Sequence, residues 1–183
     1  MVRYLLDSVV ISDFQKAGAL AALAAASRNV PLLVVEHVHA EMTIAPLNAS
    51  PSKVGRAREA QRGLESGSFE ILQFFPGTPE HALFMQLTRG VARKHGNGEA
   101  ASIAVAVARQ DLVFVTGDVN ATLSALNELS GSGERVMRVP VFVRLLSERR
   151  ALSPRDVRVV APLAADHGVE PSWWADWLSN LPL

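Results

Sequence analysis

The 183-residue sequence contains no cysteine. Disulfide bonds, thiolate metal ligands and cysteine nucleophiles are therefore all excluded. A chain without disulfides fits a reducing compartment, so we expect the protein to be cytoplasmic.

Long apolar segments are missing as well. Residues 18–26 are rich in alanine, but Asp7, Asp13 and Lys16 interrupt the chain before them. A secretory signal needs a positive start followed by an unbroken apolar stretch. No window of the sequence is long and apolar enough to cross a bilayer. We therefore expect neither a signal peptide nor a membrane partner.

An excess of positive charge is the third absence, since 18 basic residues balance 18 acidic ones. Tight binding to the phosphates of nucleic acid needs positive charge, although its distribution matters more than the total. The basic residues form three groups: Lys53, Arg56, Arg58 and Arg62; Arg89, Arg93 and Lys94; and Arg135, Arg138, Arg144, Arg149 and Arg150. Taken singly, each group is interpreted as a solvated helix face.

Short apolar runs alternate with longer helical patterns, which predicts an α/β fold. The predicted strands are residues 2–6, 32–35, 112–115 and 136–139, with a further β-rich segment at residues 69–75. Strands separated by helices favour a three-layer α/β/α architecture with a mostly parallel central sheet. We expect one such domain over residues 1–150.

Capping residues, prolines and glycines predict where the helices begin and end. The predicted first residues or caps are Ser12 or Asp13, Pro51, Thr78, Gly98, Asn120, Pro140, Ser153 and Pro171, and the predicted ends are Ser27, Gly96, Leu129 with Gly131, and Gly168. A further helix carries His37 and Glu41. Residues 151–183 are expected to form a helical extension. Its three tryptophans, Trp173, Trp174 and Trp177, either pack on the core of the domain or offer an aromatic surface to a partner helix.

Four acidic residues are predicted to meet at one edge of the sheet. Asp7 and Asp118 each follow an apolar strand directly, and ligands of parallel sheets bind beyond the carboxyl ends of the strands. Glu41 lies about one to two turns into the helix after the second strand. Glu99 lies in the first turn of its helix, where the helix dipole favours an ionised carboxylate.

Such a group of carboxylates would be strongly self-repelling. At about 4 Å and an effective dielectric constant near 20, each pair costs on the order of 4 kcal/mol. A hard divalent cation, Mg²⁺ or Mn²⁺, would relieve that repulsion. Each acid also has a simpler interpretation: Asp7 and Asp118 as caps of a turn or helix, Glu99 as a partner of the helix dipole, and Glu41 as solvent-facing surface.

Four segments resemble the motifs of PIN domains, in the same order and at similar spacing. They are Tyr4-Leu5-Leu6-Asp7-Ser8, Val35-Glu36-His37-Val38-His39-Ala40-Glu41, Gly98-Glu99-Ala100-Ala101-Ser102-Ile103-Ala104, and Val113-Phe114-Val115-Thr116-Gly117-Asp118. The third resembles the Gly-Glu-Ala helix of one branch of the family, and the fourth resembles its Thr-x-Asp signature. The resemblance covers about the first 140 residues. Gly117 and Val119 depart from it, because many relatives place charged residues there.

This resemblance implies a metal-dependent ribonuclease, with Asp7, Glu41, Glu99 and Asp118 around one or two Mg²⁺ or Mn²⁺ ions. Asp7 and Asp118 would be direct ligands, and Glu41 and Glu99 would bind the metal or orient the attacking water. Ser8 and Thr116 would support the site with hydroxyls, and Asn120 with its amide. As in VapC-like toxins, the resemblance implies an RNA substrate, an antitoxin partner and a homodimer. It also implies that the basic groups bind flanking phosphates of the RNA.

Other functions remain open at this point. His37 and His39 are spaced as in some zinc sites, but residues two apart on a helix diverge. Asp7 would suit an α/β phosphatase nucleophile, which calls for a second Asp at the position of Val9. The sequence has neither a serine-hydrolase elbow nor a phosphate-binding glycine loop. The main alternative is a PIN-like domain that keeps its acids but acts as a protein-binding module or scaffold.

Overall fold

Five strands form one parallel sheet in the computed structural model, which describes residues 2–44, 48–89, 96–129, 133–165 and 171–182. The strands are β1 (Arg3–Leu6), β2 (Leu32–Val35), β3 (Glu70–Leu72), β4 (Leu112–Thr116) and β5 (Val136–Arg138). Their order across the sheet is β3-β2-β1-β4-β5. The predicted three-layer α/β/α architecture is confirmed, and all the described strand pairs are parallel.

The order of the strands creates a switch point beside β1. The chain lays down β2 and β3 on one side of β1, then returns to add β4 and β5 on the other. Leu6 at the end of β1 pairs with Val115 of β4, so the carboxyl ends of these two strands coincide. A cleft opens at such a switch point because the connections leave the two strands in opposite directions.

The inner strands are apolar because both of their faces are covered. Every residue of β2 and β4 is buried, as the continuous runs Leu-Leu-Val-Val and Leu-Val-Phe-Val indicate. The edge strands differ: Glu70 and Ile71 of β3 are exposed, and β5 is only half-buried.

Ten α-helices complete the described part of the chain. They are α1 (Ser8–Lys16), α2 (Leu20–Ala26), α3 (Glu36–Thr43), α4 (Pro51–Ser66), α5 (Pro79–Thr88), α6 (Asn97–Ala108), α7 (Val119–Glu128), α8 (Val139–Glu148), α9 (Pro154–Ala165) and α10 (Trp174–Ser179). The small side chains of α6 let it pack against β1, β2 and β4, and it also contacts α3, α5 and α7. No described helix is long and apolar enough to cross a bilayer.

The predicted start of the first helix was wrong. Helix α1 begins at Ser8, because the side chain of Asp7 accepts a hydrogen bond from the Ser8 N–H and caps the helix there. Asp13, predicted as a possible cap, is instead buried within α1. The predicted single helix to Ser27 is also divided, because Gly18 adopts a φ of +67° that favours glycine and separates α1 from α2.

Several other predicted boundaries agree closely with the structure, although the last helix begins at Trp174 rather than at Pro171. Pro51 opens α4, Thr78 caps α5 through the His81 N–H, and α3 carries both His37 and Glu41. Helix α5 ends at Thr88 rather than at Gly96, which is instead the residue before α6. The predicted helix ends at Gly131 and Gly168 lie outside the described residues.

The C-terminal helices bury apolar side chains against the rest of the chain. Helix α9 contacts α1 and α8, and Val157 and Val160 are fully buried. Trp174 is only 1% exposed and belongs to the main core, while the Trp173 ring packs under the Arg144 guanidinium at 4.7 Å. The tryptophans therefore pack on the protein's own core, which is the first of the two interpretations drawn from the sequence.

Truncation of the buried tryptophan tests how strongly this extension supports the fold. We expect Trp174→Ala to lower the free energy of unfolding by about 3–5 kcal/mol, because apolar burial is removed and a cavity is left behind. Urea unfolding followed by far-UV circular dichroism measures it. Trp177→Ala, at a half-buried position, is the control and should lower the free energy of unfolding by a smaller amount. Equal and small losses in both variants would contradict a core role for Trp174.

Candidate active site

Asp7 lies at the end of the central strand and is almost wholly buried, at 2% exposure. Its Oδ1 accepts hydrogen bonds from the Ser8 backbone N–H at 2.7 Å and from the Ser8 hydroxyl at 3.4 Å. Its Oδ2 accepts a hydrogen bond from the Thr116 hydroxyl at 2.8 Å. The carboxylate is thus fixed between the start of α1 and the end of β4.

Thr116 joins Asp7 to Asp118. Besides donating to Asp7, its hydroxyl oxygen accepts a hydrogen bond from the Asp118 backbone N–H at 3.1 Å. Asp118 in turn caps α7, where its Oδ1 accepts from the N–H groups of Asn120 at 2.6 Å and Ala121 at 3.0 Å. Asn120 therefore supports the site through its backbone. The Oδ2 atom of Asp118 accepts no hydrogen bond from the described residues.

Glu41 is held against the N-terminus of α6. Its Oε1 accepts a hydrogen bond from the Gly98 N–H at 2.8 Å, so α3 and α6 are tied together by this carboxylate. A methyl group on Gly98 would lie 2.5 Å from Glu41 Oε2. The glycine of the Gly98-Glu99-Ala100 segment is therefore required for the close approach of the carboxylate. Glu99, the next residue, is half-buried in the first turn of α6.

Three of the four predicted acids thus accept hydrogen bonds from N–H groups at helix N-termini: Asp7 at α1, Asp118 at α7 and Glu41 at α6. The N–H groups and the positive end of the helix dipole stabilise an ionised carboxylate at each place. The capping interpretation of Asp7 and Asp118 is correct. It leaves room for a second role, since one oxygen of Asp118 and one of Glu41 remain without a hydrogen bond from the described part of the chain.

The electrostatics of Asp7 are set by its burial. Burial raises the pKa of Asp7, and the nearby charge of Glu41 raises it further, while hydrogen bonds from Thr116 and Ser8 oppose the shift. Such a carboxylate gains from a nearby cation, which would replace the missing solvation. The donor set is entirely oxygen, the type that Mg²⁺ and Mn²⁺ prefer, so the chemistry of these residues suits such an ion.

The four acids do not form a closed ligand shell. Across the described ranges, no three acidic or histidine side chains are placed together closely enough to hold a metal ion as they stand. The physical reason is that separate helix N-termini hold three of the carboxylates. Asp7, Thr116 and Asp118 form one connected group, and Glu41 is near enough to influence the pKa of Asp7.

Arg138 is a site residue that the sequence pattern did not single out. It lies at the end of β5, donates a hydrogen bond to the Thr122 hydroxyl at 3.1 Å, and is half-buried. Burial lowers the pKa of Arg138, and the charge of Asp118 partly opposes that shift. Its position at the carboxyl end of a strand, the sheet edge to which Asp7 and Asp118 also belong, was the signal that could have identified it.

The basic groups differ in their surroundings, and the interpretation of all of them as solvated faces was wrong for Arg135. Its guanidinium donates to the backbone carbonyls of Ala106, Arg109 and Leu112, which ties α6 and β4 to the segment before β5. Arg149 lies over the Tyr4 ring at 5.5 Å. By contrast, Lys53 and Arg56 on α4 are exposed.

The two histidines of the zinc alternative lie on α3, as expected. The His37 ring stacks on Phe74 at 5.4 Å and packs against Phe84 at 4.8 Å. Its Nδ1 is buried and has no hydrogen-bond partner among the described residues. An aromatic cluster thus surrounds His37.

No protein-family model, no curated protein and no solved structure matches the chain. The resemblance to PIN domains therefore remains a prediction from the four sequence segments.

The buried carboxylate predicts an unusual pH dependence of stability. Because the pKa of Asp7 is raised in the folded state, the folded protein favours the protonated acid, and that stability is lost as pH rises through the raised pKa. Relative to Asp7→Asn, the wild type should lose free energy of unfolding as pH rises from about 4, the ordinary pKa of aspartate. Urea unfolding at several pH values, with chelator present, measures this difference.

Divalent metal should reverse that loss. At neutral pH, Mn²⁺ should raise the melting temperature of the wild type and leave Asp7→Asn nearly unchanged, because binding to the folded state alone stabilises it. If the difference in stability between the wild type and Asp7→Asn depends neither on pH nor on Mn²⁺, this role of the Asp7 carboxylate is contradicted.

A methyl group at Gly98 tests the contact with Glu41. Gly98→Ala should displace the Glu41 carboxylate and remove its hydrogen bond from the α6 N-terminus, which offsets the gain of about 1 kcal/mol that alanine brings to a helix. Gly55→Ala on α4 is the matched control, because no atom lies within 4 Å of the added methyl group. The control should be stabilised by about 0.5–1 kcal/mol. Equal stabilisation of both variants in urea would refute the contact.

Proposed function

We propose that the protein is a metal-dependent endoribonuclease whose active site is formed by Asp7, Glu41, Glu99 and Asp118. The observation that carries the proposal is the buried carboxylate of Asp7, joined through Thr116 to Asp118 at the switch point of the sheet. A buried acid with a raised pKa, beside other carboxylates in a cleft, is typical of a functional site.

The chain's own residues would position the reacting groups. Asp7, Glu41, Glu99 and Asp118 would hold Mg²⁺ or Mn²⁺. When bound, such an ion supplies a water of lowered pKa and positive charge to stabilise the phosphate in the transition state. Ser8 and Thr116 keep the Asp7 carboxylate in one orientation, and the N–H groups at the start of α7 do the same for Asp118.

Arg138 adds a fixed positive charge to the same edge. It lies close enough to Asp118 to be affected by its charge. In the proposed reaction, the guanidinium would bind a non-bridging phosphate oxygen, for which its planar donors are well suited.

The PIN resemblance extends the proposal to partners and setting. A toxin of this kind would be cytoplasmic, form a homodimer and be inhibited by an antitoxin segment that covers the acidic edge. These statements rest on the sequence resemblance alone.

A second candidate function is a PIN-like protein-binding module without catalysis. It is favoured by one observation: three of the acids already cap helices, and no three acidic or histidine side chains in the described ranges form a ready metal site. In that case the carboxylates would serve helix stability. Metal binding and RNA cleavage separate the two functions.

Cleavage of RNA is the direct test. We expect the purified protein to cleave a mixed RNA pool with Mn²⁺ or Mg²⁺ and to be inactive with chelator. Asp7→Asn and Asp118→Asn should lower the rate by at least about 10²-fold, the usual effect of losing a group that stabilises charge in the transition state. Gel analysis of initial rates measures it.

Thr116→Val examines the link between the two aspartates. It removes the shared hydroxyl and should reduce the rate by roughly 10- to 100-fold, as for other groups that orient metal ligands. Thr88→Val is the matched control, because the Thr88 hydroxyl donates only to the Phe84 carbonyl on α5.

The wild type decides between the two candidate functions. If it neither cleaves RNA nor binds metal, the protein-binding module is the function that remains.

A further inference from the structure

The chain has a cleft of about 260 Å³ directly beside the acidic site. It lies between α1, α3 and α4, and Glu41 of the acidic site is one of its lining residues. Its polar wall consists of Ser12, Gln15, Lys53 and Arg56, and its apolar lining includes Met42 and Ile44. Its volume is below the range of about 300–1,000 Å³ that is usual for small-molecule sites.

The polar wall is held in place by a contact between two helices. The Gln15 side-chain N–H donates to the Arg56 carbonyl at 2.7 Å and to Glu59 Oε2 at 3.1 Å, which ties α1 to α4. Arg56 therefore has a fixed backbone position while its side chain stays exposed. The cleft is therefore a surface feature formed between packed helices rather than by a single loop.

The two cations of the cleft are available to an anionic ligand. Lys53 and Arg56 are three residues apart on one face of α4, and neither forms an ion pair with a carboxylate in the described part of the chain. Other basic side chains are engaged: Arg109 with Glu80, and Arg144 with Glu148. Among the described lining residues, Glu41 is the acidic one; Glu59 is not part of the lining but accepts a hydrogen bond from Gln15.

We propose that this cleft binds the nucleotide adjacent to the cleaved phosphodiester in a single-stranded RNA. Lys53 and Arg56 contact the phosphate, and the apolar side chains of Met42 and Ile44 face the sugar and base. The proposal rests on the nuclease function, because it places the strand across Glu41 into the acidic site. Ile44 is 70% exposed, so a base that covers it gains apolar burial.

Binding of an uncleavable strand tests the cleft independently of catalysis. The probe is a fluorescein-labelled single-stranded RNA with phosphorothioate linkages, measured by anisotropy at several salt concentrations. The double variant Lys53→Gln and Arg56→Gln should bind about tenfold more weakly, and its salt slope should fall by about 0.7 for each phosphate that the protein no longer neutralises.

A matched double variant on the same helix controls for net charge. Arg58→Gln with Arg62→Gln removes the same charge from exposed positions that do not line this cleft. Its affinity and salt slope should stay close to those of the wild type, and both double variants should melt as the wild type does. Equal weakening in the two, no weakening in either, or no binding by the wild type would overturn the proposal. The proposal would also be overturned if poly-glutamate at equal charge concentration displaced the RNA, because the cleft would then recognise negative charge alone.

Cleavage measured on the same proteins separates this proposal from the nuclease function. If the Lys53→Gln and Arg56→Gln double variant loses affinity for the RNA but the wild type does not cleave RNA, the cleft is a nucleic-acid site and the nuclease function is refuted. Cleavage that needs Asp7 but is indifferent to Lys53 and Arg56 would uphold the nuclease and refute the cleft.

Discussion

The Thr116 hydroxyl makes two hydrogen bonds at the centre of the molecule, one donated to Asp7 and one accepted from the Asp118 N–H. It can do so only because β1 and β4 are parallel neighbours whose ends coincide. Hydrogen bonds to a charged group contribute roughly 1.5–3 kcal/mol each, enough to hold a carboxylate in a place that is almost wholly buried. The position of Asp7 at the start of α1 and the geometry of the acidic edge follow from this arrangement. The raised pKa of Asp7 comes from its burial, which the Thr116 hydrogen bond opposes.

Helix N-termini give the acidic edge its order. Repulsion alone would drive Asp7, Glu41 and Asp118 apart, but each carboxylate accepts N–H groups at the start of a different helix. These contacts offset part of the repulsion among the acids. The same contacts also explain why they stop short of a closed metal shell, since each is aimed at its own helix. A ligand that binds there has to compete with these contacts or use the oxygens that they leave open.

The basic residues illustrate how one side-chain type takes different roles. Arg135 bonds to three backbone carbonyls and supports the sheet, and Arg138 sits at the acidic edge. Lys53 and Arg56 remain exposed beside a cleft. Burial decides between these roles, because a guanidinium taken out of water needs several acceptors, whereas an exposed one keeps its donors for a ligand.

Local pattern alone determined the architecture and the candidate acids. Residues 32–35 and 112–115 are apolar on both faces, which indicates a buried parallel strand, and Asp7 and Asp118 follow such runs directly. The contact of Glu41 with Gly98, the place of Arg138 and the cleft at Lys53 and Arg56 were decided only by the tertiary structure. Each of these depends on groups that are far apart in the chain, so no spacing in the sequence records them. Glu41 and Gly98 are 57 positions apart and meet only because α3 and α6 pack together on the sheet.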